Sequence, residues 1–353
     1  MKAIQTTFCT LPFLEEVIKC RKKSRPHNVA YKILYNLSDI KLDIDSEELR
    51  KRILDKEQNP IYNILSKREG KEFESSVNWR NTINFSDVRD ELFFISTNYI
   101  PDYKALRNQN GALIIANDAN LHELTRLNDK QGKIFLIPKD KKSIKEDEKI
   151  RVEELEGIYQ DSWDKVLNTY PMTPTNSLII SDNYLGENLI KSKKRGLLDI
   201  IKTVLPKDLN IPFDIVIFTT VENENTFPRQ KAVDLITEIK HLFPNEEDVR
   251  VTIVAHTETI TTHMRTIISN YHFLQCDRGF GTILDEKKSY EPSIGSIESV
   301  FHSIESTHEL QPGTKHIHYQ YIEWLKLIFH GKKGMDATYS YIVGDKTHRL
   351  LDL

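Results

Sequence analysis

The chain has 353 residues, 39% of them hydrophobic, with 13 glycines and 13 prolines, enough apolar material for two packed domains and too much for a disordered or low-complexity protein. Its 49 Lys and Arg against 52 Asp and Glu leave a formal net charge of -3, so no global field attracts polyanions, and any contact with nucleic acid or a membrane surface needs a local patch. Three widely spaced cysteines, Cys9, Cys20 and Cys276, fit neither a disulfide framework nor a metal knuckle and predict a reducing, cytoplasmic setting.

The opening stretch "MKAIQTTFCTLPFLEEVIKC" interrupts its apolar residues with charge, and no run reaches the roughly 18 apolar residues of a spanning helix, so neither export nor membrane insertion is expected. Residues 1–85 are rich in charge and helix formers; "DIDSEELRKRILDKEQNP" offers Asp45 or Ser46 as an N-cap and Pro60 as a stop, which predicts a mostly helical N-terminal region. From "ELFFISTNYI" onward, short apolar runs such as "ALIIAND" and "KIFLIPKD" alternate with helical spacing, predicting a smaller α/β region over 86–150. The mixed-charge run "PKDKKSIKEDEKIRVEELEG" suits a solvated connection and marks the expected domain boundary.

Residues 151–353 carry the clearest architecture. "SLIISDNYL" and "FDIVIFTT" read as buried strands, with helical apolar spacing between them from Leu189 to Leu205. Val233, Ile236, Ile239 and Phe243 mark an amphipathic helix, and "VRVTIVAH" is a third strand. "MRTIISN" and "HFLQCDRGF" follow as a tight pair. The order β-α-β-α-β-β-β predicts an α/β sheet with an antiparallel flank.

Within the last pair, His263 and Arg265 stand two apart on one strand and therefore share a face. A neutral histidine can attack phosphorus while a neighbouring cation stabilises the phosphoryl oxygens. These residues resemble the phospholipase D-like superfamily, whose His-x-Lys-x4-Asp motif is matched here by His263, Arg265 and Asn270, followed by Arg278 and Gly279 in "CDRGFG". The resemblance runs from Ser177 to Leu284, and is closer still to the phospholipase D-like C-terminal domain of some proteins carrying a microtubule-interacting-and-transport module, a branch without an intact catalytic set. It implies a phospholipase D-like mixed sheet flanked by helices in the C-terminal half. It also suggests an accessory component of a prokaryotic defence or mobile-element system.

Two departures from the motif weigh against catalysis. Arginine in place of lysine gives a planar fork that keeps its proton and suits phosphate binding, and asparagine in place of aspartate removes the anion that would orient His263. A second complete His-x-Lys-x4-Asp motif is missing. The expectation is therefore a non-catalytic domain that binds an anionic partner, nucleic acid foremost, through Arg265, Arg278, Lys193, Lys194 and Arg195 beside the strand-end Asp182, which can equally cap the following helix. A metal-independent phosphodiesterase or nuclease completed by homodimerisation, with His263, Arg265 and Asn270 as its site, is the enzymatic alternative. A protein-interaction module anchored by the aromatic helix "YIEWLKLIF" is the third.

No cofactor is expected. His316 and His318 stand two apart, yet no cysteine or carboxylate stands at a partner spacing for zinc. The chain contains none of GxxxxGK[ST], HExxH, GxSxG or GxGxxG, which removes most support for P-loop, zincin, serine-hydrolase or dinucleotide chemistry.

Overall fold

The structure is a computed structural model that describes residues 5–36, 38–51, 73–75, 92–94, 113–115, 133–136, 157–160, 163–169, 175–186, 194–205, 212–258, 265–270, 272–276, 293–299 and 317–352, together with residues 61, 62, 64 and 280. The chain divides into two compact units, Met1–Asp129 with Ser299–Tyr319, and Lys130–Glu298 with Gln320–Leu353.

The first unit is built on a parallel sheet. Strand β1 (Gln5–Thr10) passes directly into helix α1 (Leu11–Cys20); α2 (Arg25–Asn36), β2 (Ser38–Asp43), the short α3 (Ser46–Leu49), β3 (Phe73–Ser75), β4 (Leu92–Phe94) and β5 (Leu113–Ile115) follow. The strand order is β3-β2-β1-β4-β5, with every pairing parallel. Leu11, Leu14 and Val17 of α1 and Val29, Ala30, Ile33 and Leu34 of α2 are buried, the one-sided stripes that helical periodicity requires. Asp45 caps α3 by accepting from the Glu47 and Glu48 amides at 2.8 and 3.2 Å.

This arrangement corrects the expectation for residues 1–85. The helices are present, but β1, β2 and β3 lie among them, and their character was hidden by polar residues. Thr7 and Ser38 are both buried and bond each other at 2.6 Å. The 86–150 region does not stand apart either: β4 and β5 extend the sheet begun by β1, whereas β6 (Lys133–Leu136) joins the other sheet. The charged run expected as the boundary lies outside the described residues except for its last, Gly157, and the division of the chain falls between Asp129 and Lys130.

The second unit adds β7 (Gly157–Gln160), α4 (Trp163–Thr169), β8 (Ser177–Ser181), α5 (Lys194–Val204), β9 (Phe213–Thr220), α6 (Arg229–Lys240), β10 (Val249–His256), β11 (Arg265–Ile268), β12 (His272–Cys276), β13 (Ser293–Ser299), α7 (Ile317–Phe329) and β14 (Tyr341–Gly344). Its mixed sheet runs β14-β10-β9-β8-β11-β12-β13-β6-β7. Strands β8, β9 and β10 are parallel, the β11–β12 hairpin is antiparallel to β8, and β14 is antiparallel to β10.

Helices cover both faces of this sheet. Leu178, Ile180, Ile215, Ile217, Val251 and Ile253 pack with α4, α5 and α6, while Ile179, Val216, Phe218 and Val254 pack with Leu325, Ile328 and Phe329 of α7. Successive strand residues thus enter opposite cores, which explains the unbroken apolar runs of β8, β9 and β10. The amino end of the sheet is closed by Asp214, whose carboxylate receives Arg250 at 2.6 and 2.9 Å and the Arg349 amide and Nε at 2.8 and 3.0 Å. Those two guanidinium groups, with His348, hold the Asp214 carboxyl below its ordinary range against the opposing effect of burial.

Candidate functional site

Three parallel strands deliver their carboxyl ends to one edge of the second unit, the place where α/β sheets commonly receive ligands. At the end of β8 the Asp182 amide donates to the Phe218 carbonyl at 3.0 Å. The Asp182 carboxylate then accepts from the Tyr184 amide at 2.9 Å and from Arg265 Nε at 3.3 Å. Arg265 opens β11, whose Thr266 pairs with Ser181, so the antiparallel run of β11 is what places this cation beside the end of β8. Its guanidinium carbon lies 4.9 Å from the centre of the Tyr184 ring, within range of a cation–π contact. The side chains of Arg265 and Asp182 are only 11% and 2% exposed.

The ends of β9 and β10 complete the edge. The Thr220 hydroxyl donates to Asn183 Oδ1 at 3.0 Å, with the Glu258 carbonyl at 3.4 Å, and the Glu258 carboxylate meets Lys333 at 3.6 Å. His256, the last residue of β10, is fully buried, with Phe218 and Trp324 presented edge-on at ring-centre distances of 6.1 and 6.5 Å. Neither ring nitrogen makes a hydrogen bond of acceptable geometry. Burial pushes its pKa down to about 4, against a smaller opposing effect of the Glu258 backbone, so the ring is neutral at pH 7. On the same face Tyr321 of α7 bonds Thr266 at 3.4 Å, and burial raises its phenol pKa.

The sequence-predicted residues separate into three groups. Asp182 and Arg265 come together, and Asp182 both caps its turn and serves as counter-ion to Arg265; it is the orienting partner of the cation and not itself an anion ligand. Asn270 does not join them. It lies past the far end of β11, about 10 Å of strand and a turn away, where it accepts from the Asn176 amide at 2.9 Å and donates to Asn176 Oδ1 at 2.8 Å. That exchange staples the β11–β12 turn to the entry of β8, a structural duty in place of the catalytic one that the enzymatic alternative gave it. His263, Arg278 and Lys193 lie outside the described residues; Lys194 and Arg195 begin α5, with their side chains outside the description as well.

The aromatic stripe of α7, weighed above as a partner-facing anchor, is core: Leu325 and Ile328 are buried and Tyr321 and Trp324 pack against them. His256 and Thr220 were missed by sequence reasoning. The available signal was position, since each is a polar residue at the last position of a strand on the sheet's carboxyl edge. Among the described residues no group of three His, Cys, Asp or Glu could hold a metal ion, and no helix is long and apolar enough to cross a membrane. No protein-family model matches the chain, and a search of curated proteins finds no match.

Proposed function

We propose that the second unit is a phospholipase D-like domain without catalytic activity, which binds the phosphate groups of an anionic partner, nucleic acid foremost, at the carboxyl edge around Arg265. One observation carries the reading: Arg265 is fixed on two sides, by the Asp182 carboxylate and the Tyr184 ring, at the ends of three parallel strands. A guanidinium held in a set orientation presents a planar fork suited to phosphate. Parallel β8–β9–β10 followed by the β11–β12 hairpin supports the family resemblance in strand order. An accessory role in a prokaryotic defence or mobile-element system, alone or as a homodimer, belongs to this proposal through that resemblance only.

Cleavage is not part of it, because Asn270 sits at the opposite end of β11 from Arg265. The α7 stripe is committed to the core, so a peptide-binding role for that helix has no support either. The test is binding of the full chain to labelled single- and double-stranded DNA and RNA at about 50 and about 200 mM salt, with the same samples scored for cleavage. Arg265→Ala would strand the buried Asp182 carboxylate and destabilise the fold by about 3–5 kcal/mol. The pair is therefore removed together as Asp182→Asn/Arg265→Gln, beside Arg265→Lys, which keeps charge and loses the fork. Salt-sensitive binding that weakens in both variants supports the proposal; binding equal to wild type in the double variant refutes it.

A further inference from the structure

The first unit carries a concentration of positive charge opposite in sign to the whole chain. Residues 17–38 contain six cations, Lys19, Arg21, Lys22, Lys23, Arg25 and Lys32, and no Asp or Glu. Lys19, Lys22, Lys23 and Arg25 are exposed. They straddle a tight connection in which the Arg21 amide donates to the Val17 carbonyl and the Lys23 and Ser24 amides to the Cys20 carbonyl at 2.9 to 3.0 Å. The backbone that bears them is therefore fixed.

Aromatic rings stand within this patch. Tyr31 and Tyr35, one turn apart on α2, stack with centres 5.9 Å apart and planes 12° apart, and the Arg21 guanidinium lies 4.0 Å over the Tyr31 ring. Both tyrosines are half-exposed. The result is a preorganised column of an arginine and two phenol rings, edged by lysines.

Helix electrostatics does not account for the arrangement. The α1 carboxyl terminus favours nearby cations, which covers Lys19. The amino terminus of α2 disfavours them, yet Lys22 and Lys23 precede it, Arg25 opens it, and no acid stands in its first turn. Glu16 of α1 meets His27 in that turn at 3.6 Å, but six cations gathered against it still oppose the local dipole and repel one another, which favours an external anion as their purpose.

We propose that the α1–α2 corner is a contact surface for single-stranded nucleic acid, with Lys19, Lys22, Lys23 and Lys32 on phosphates and the Arg21–Tyr31–Tyr35 column as a stacking platform for bases. Aromatic rings beside cations are the means by which single strands are held without sequence preference. A lipid surface would call for large outward apolar side chains, and among the described residues only Val233 and Leu327 are exposed large hydrophobics, neither of them in the first unit. The surface is separate from the Arg265 site and does not rest on the reading of that site.

The experiment measures anisotropy of fluorescein-labelled oligo(dT) and oligo(U) strands, and of a duplex of equal length, with the full chain at about 50 and about 200 mM salt. Four lysine–phosphate contacts give a salt slope near -2.8, so wild-type affinity for single strands falls about 50-fold across that interval. Lys19→Glu/Lys22→Glu/Lys23→Glu leaves about one contact and a change of about threefold. Tyr31→Ala/Tyr35→Ala lowers single-strand affinity about tenfold or more with the salt slope retained, and leaves duplex binding unchanged.

Unaltered affinity in the lysine variant overturns the proposal, as does unaltered single-strand affinity in the tyrosine variant or retention on phosphatidylserine vesicles without oligonucleotide binding. Circular dichroism confirms that each variant is folded. Asp182→Asn/Arg265→Gln in the same assay separates the two sites: loss only in that variant overturns the inference and leaves the Arg265 site standing, and loss only in the lysine variant does the reverse.

Discussion

Two buried histidines make the stability of the second unit depend on pH in a window that can be calculated. His256 has no bonded ring nitrogen, while His348 donates from Nε2 to the Leu178 carbonyl at 3.1 Å and accepts from the Leu350 amide at 3.3 Å. Both are fully buried, and burial pushes each pKa from 6.5 down to about 4. The unfolded chain takes up a proton at each site near pH 6.5, and the folded chain only near pH 4. Between those values the unfolded state binds more protons, so stability is complete above pH 6.5 and falls as pH drops toward 4. A shift of about 2.5 units is worth about 3 kcal/mol per histidine, a large share of the 5–15 kcal/mol typical of a domain. Asp214 acts below this window: its lowered pKa contributes stability above the ordinary carboxylate value and loses it below. The assay is urea unfolding from about pH 7.5 to about 4.5, followed by tryptophan fluorescence in a Trp79→Phe background so that Trp163 and Trp324 of the second unit report. At about pH 5 the slope should be a little over ~2 kcal/mol per unit, and His256→Phe should halve it. A stability that is flat between pH 7 and 5, or a His256→Phe slope equal to that of the parent, would refute the reasoning.

Two further substitutions test the assignments made at the amino end of the same sheet. Asp214→Asn removes the counter-ion shared by Arg250 and Arg349 and should destabilise the second unit by about 3–5 kcal/mol, read as a lower urea midpoint in the same fluorescence assay, because it leaves buried Arg349 uncompensated. Asn270→Asp restores the acid of the His-x-Lys-x4-Asp spacing, but it replaces the amide that donates to Asn176 Oδ1 with a carboxylate facing that oxygen; it should cost about 1–3 kcal/mol in the same midpoint and produce no cleavage of labelled DNA or RNA.

The strands of the second unit were legible because both faces of its sheet are covered: in "FDIVIFTT" Phe213, Ile215 and Ile217 enter one core and Val216 and Phe218 the other. In the first unit the apolar runs around β4 and β5 were legible, but their joining to β1, β2 and β3 in one parallel sheet was not, since β3 is three residues long and β2 alternates as "SDIKLD" with Lys41 and Asp39 half-exposed. Runs that short lie below the length at which periodicity separates strand from helix. At the site, the spacing of His263 and Arg265 pointed to one strand face, and strand-end Asp182 to the sheet's carboxyl edge. Their union could not be read, because Asp182 and Arg265 are 83 residues apart and meet only through the antiparallel register of β11. Asn270 was assigned to the site because motif spacing says nothing about strand length. β11 has four residues, so five positions after Arg265 the chain has already turned at the opposite end.

Two arginine–tyrosine pairs among the described residues differ in one respect with functional weight. Arg265 over Tyr184 has a buried counter-ion in Asp182, so its charge is offset locally and its loss breaks the fold as well as any ligand contact. Arg21 over Tyr31 stands in the 17–38 stretch, which has six cations and no acid, with Glu16 against His27 at its edge, so the local field is net positive and extends about a Debye length into solvent, roughly 10 Å at 0.1 M salt. The first arrangement favours geometric selection of a ligand already at the edge of the sheet, with a dependence on salt limited to the phosphate contacts that Arg265 itself makes. The second favours capture from a distance, with strong dependence. Substitution of the α1–α2 lysines should therefore be read chiefly in the association rate, and substitution at Arg265 chiefly in the dissociation rate.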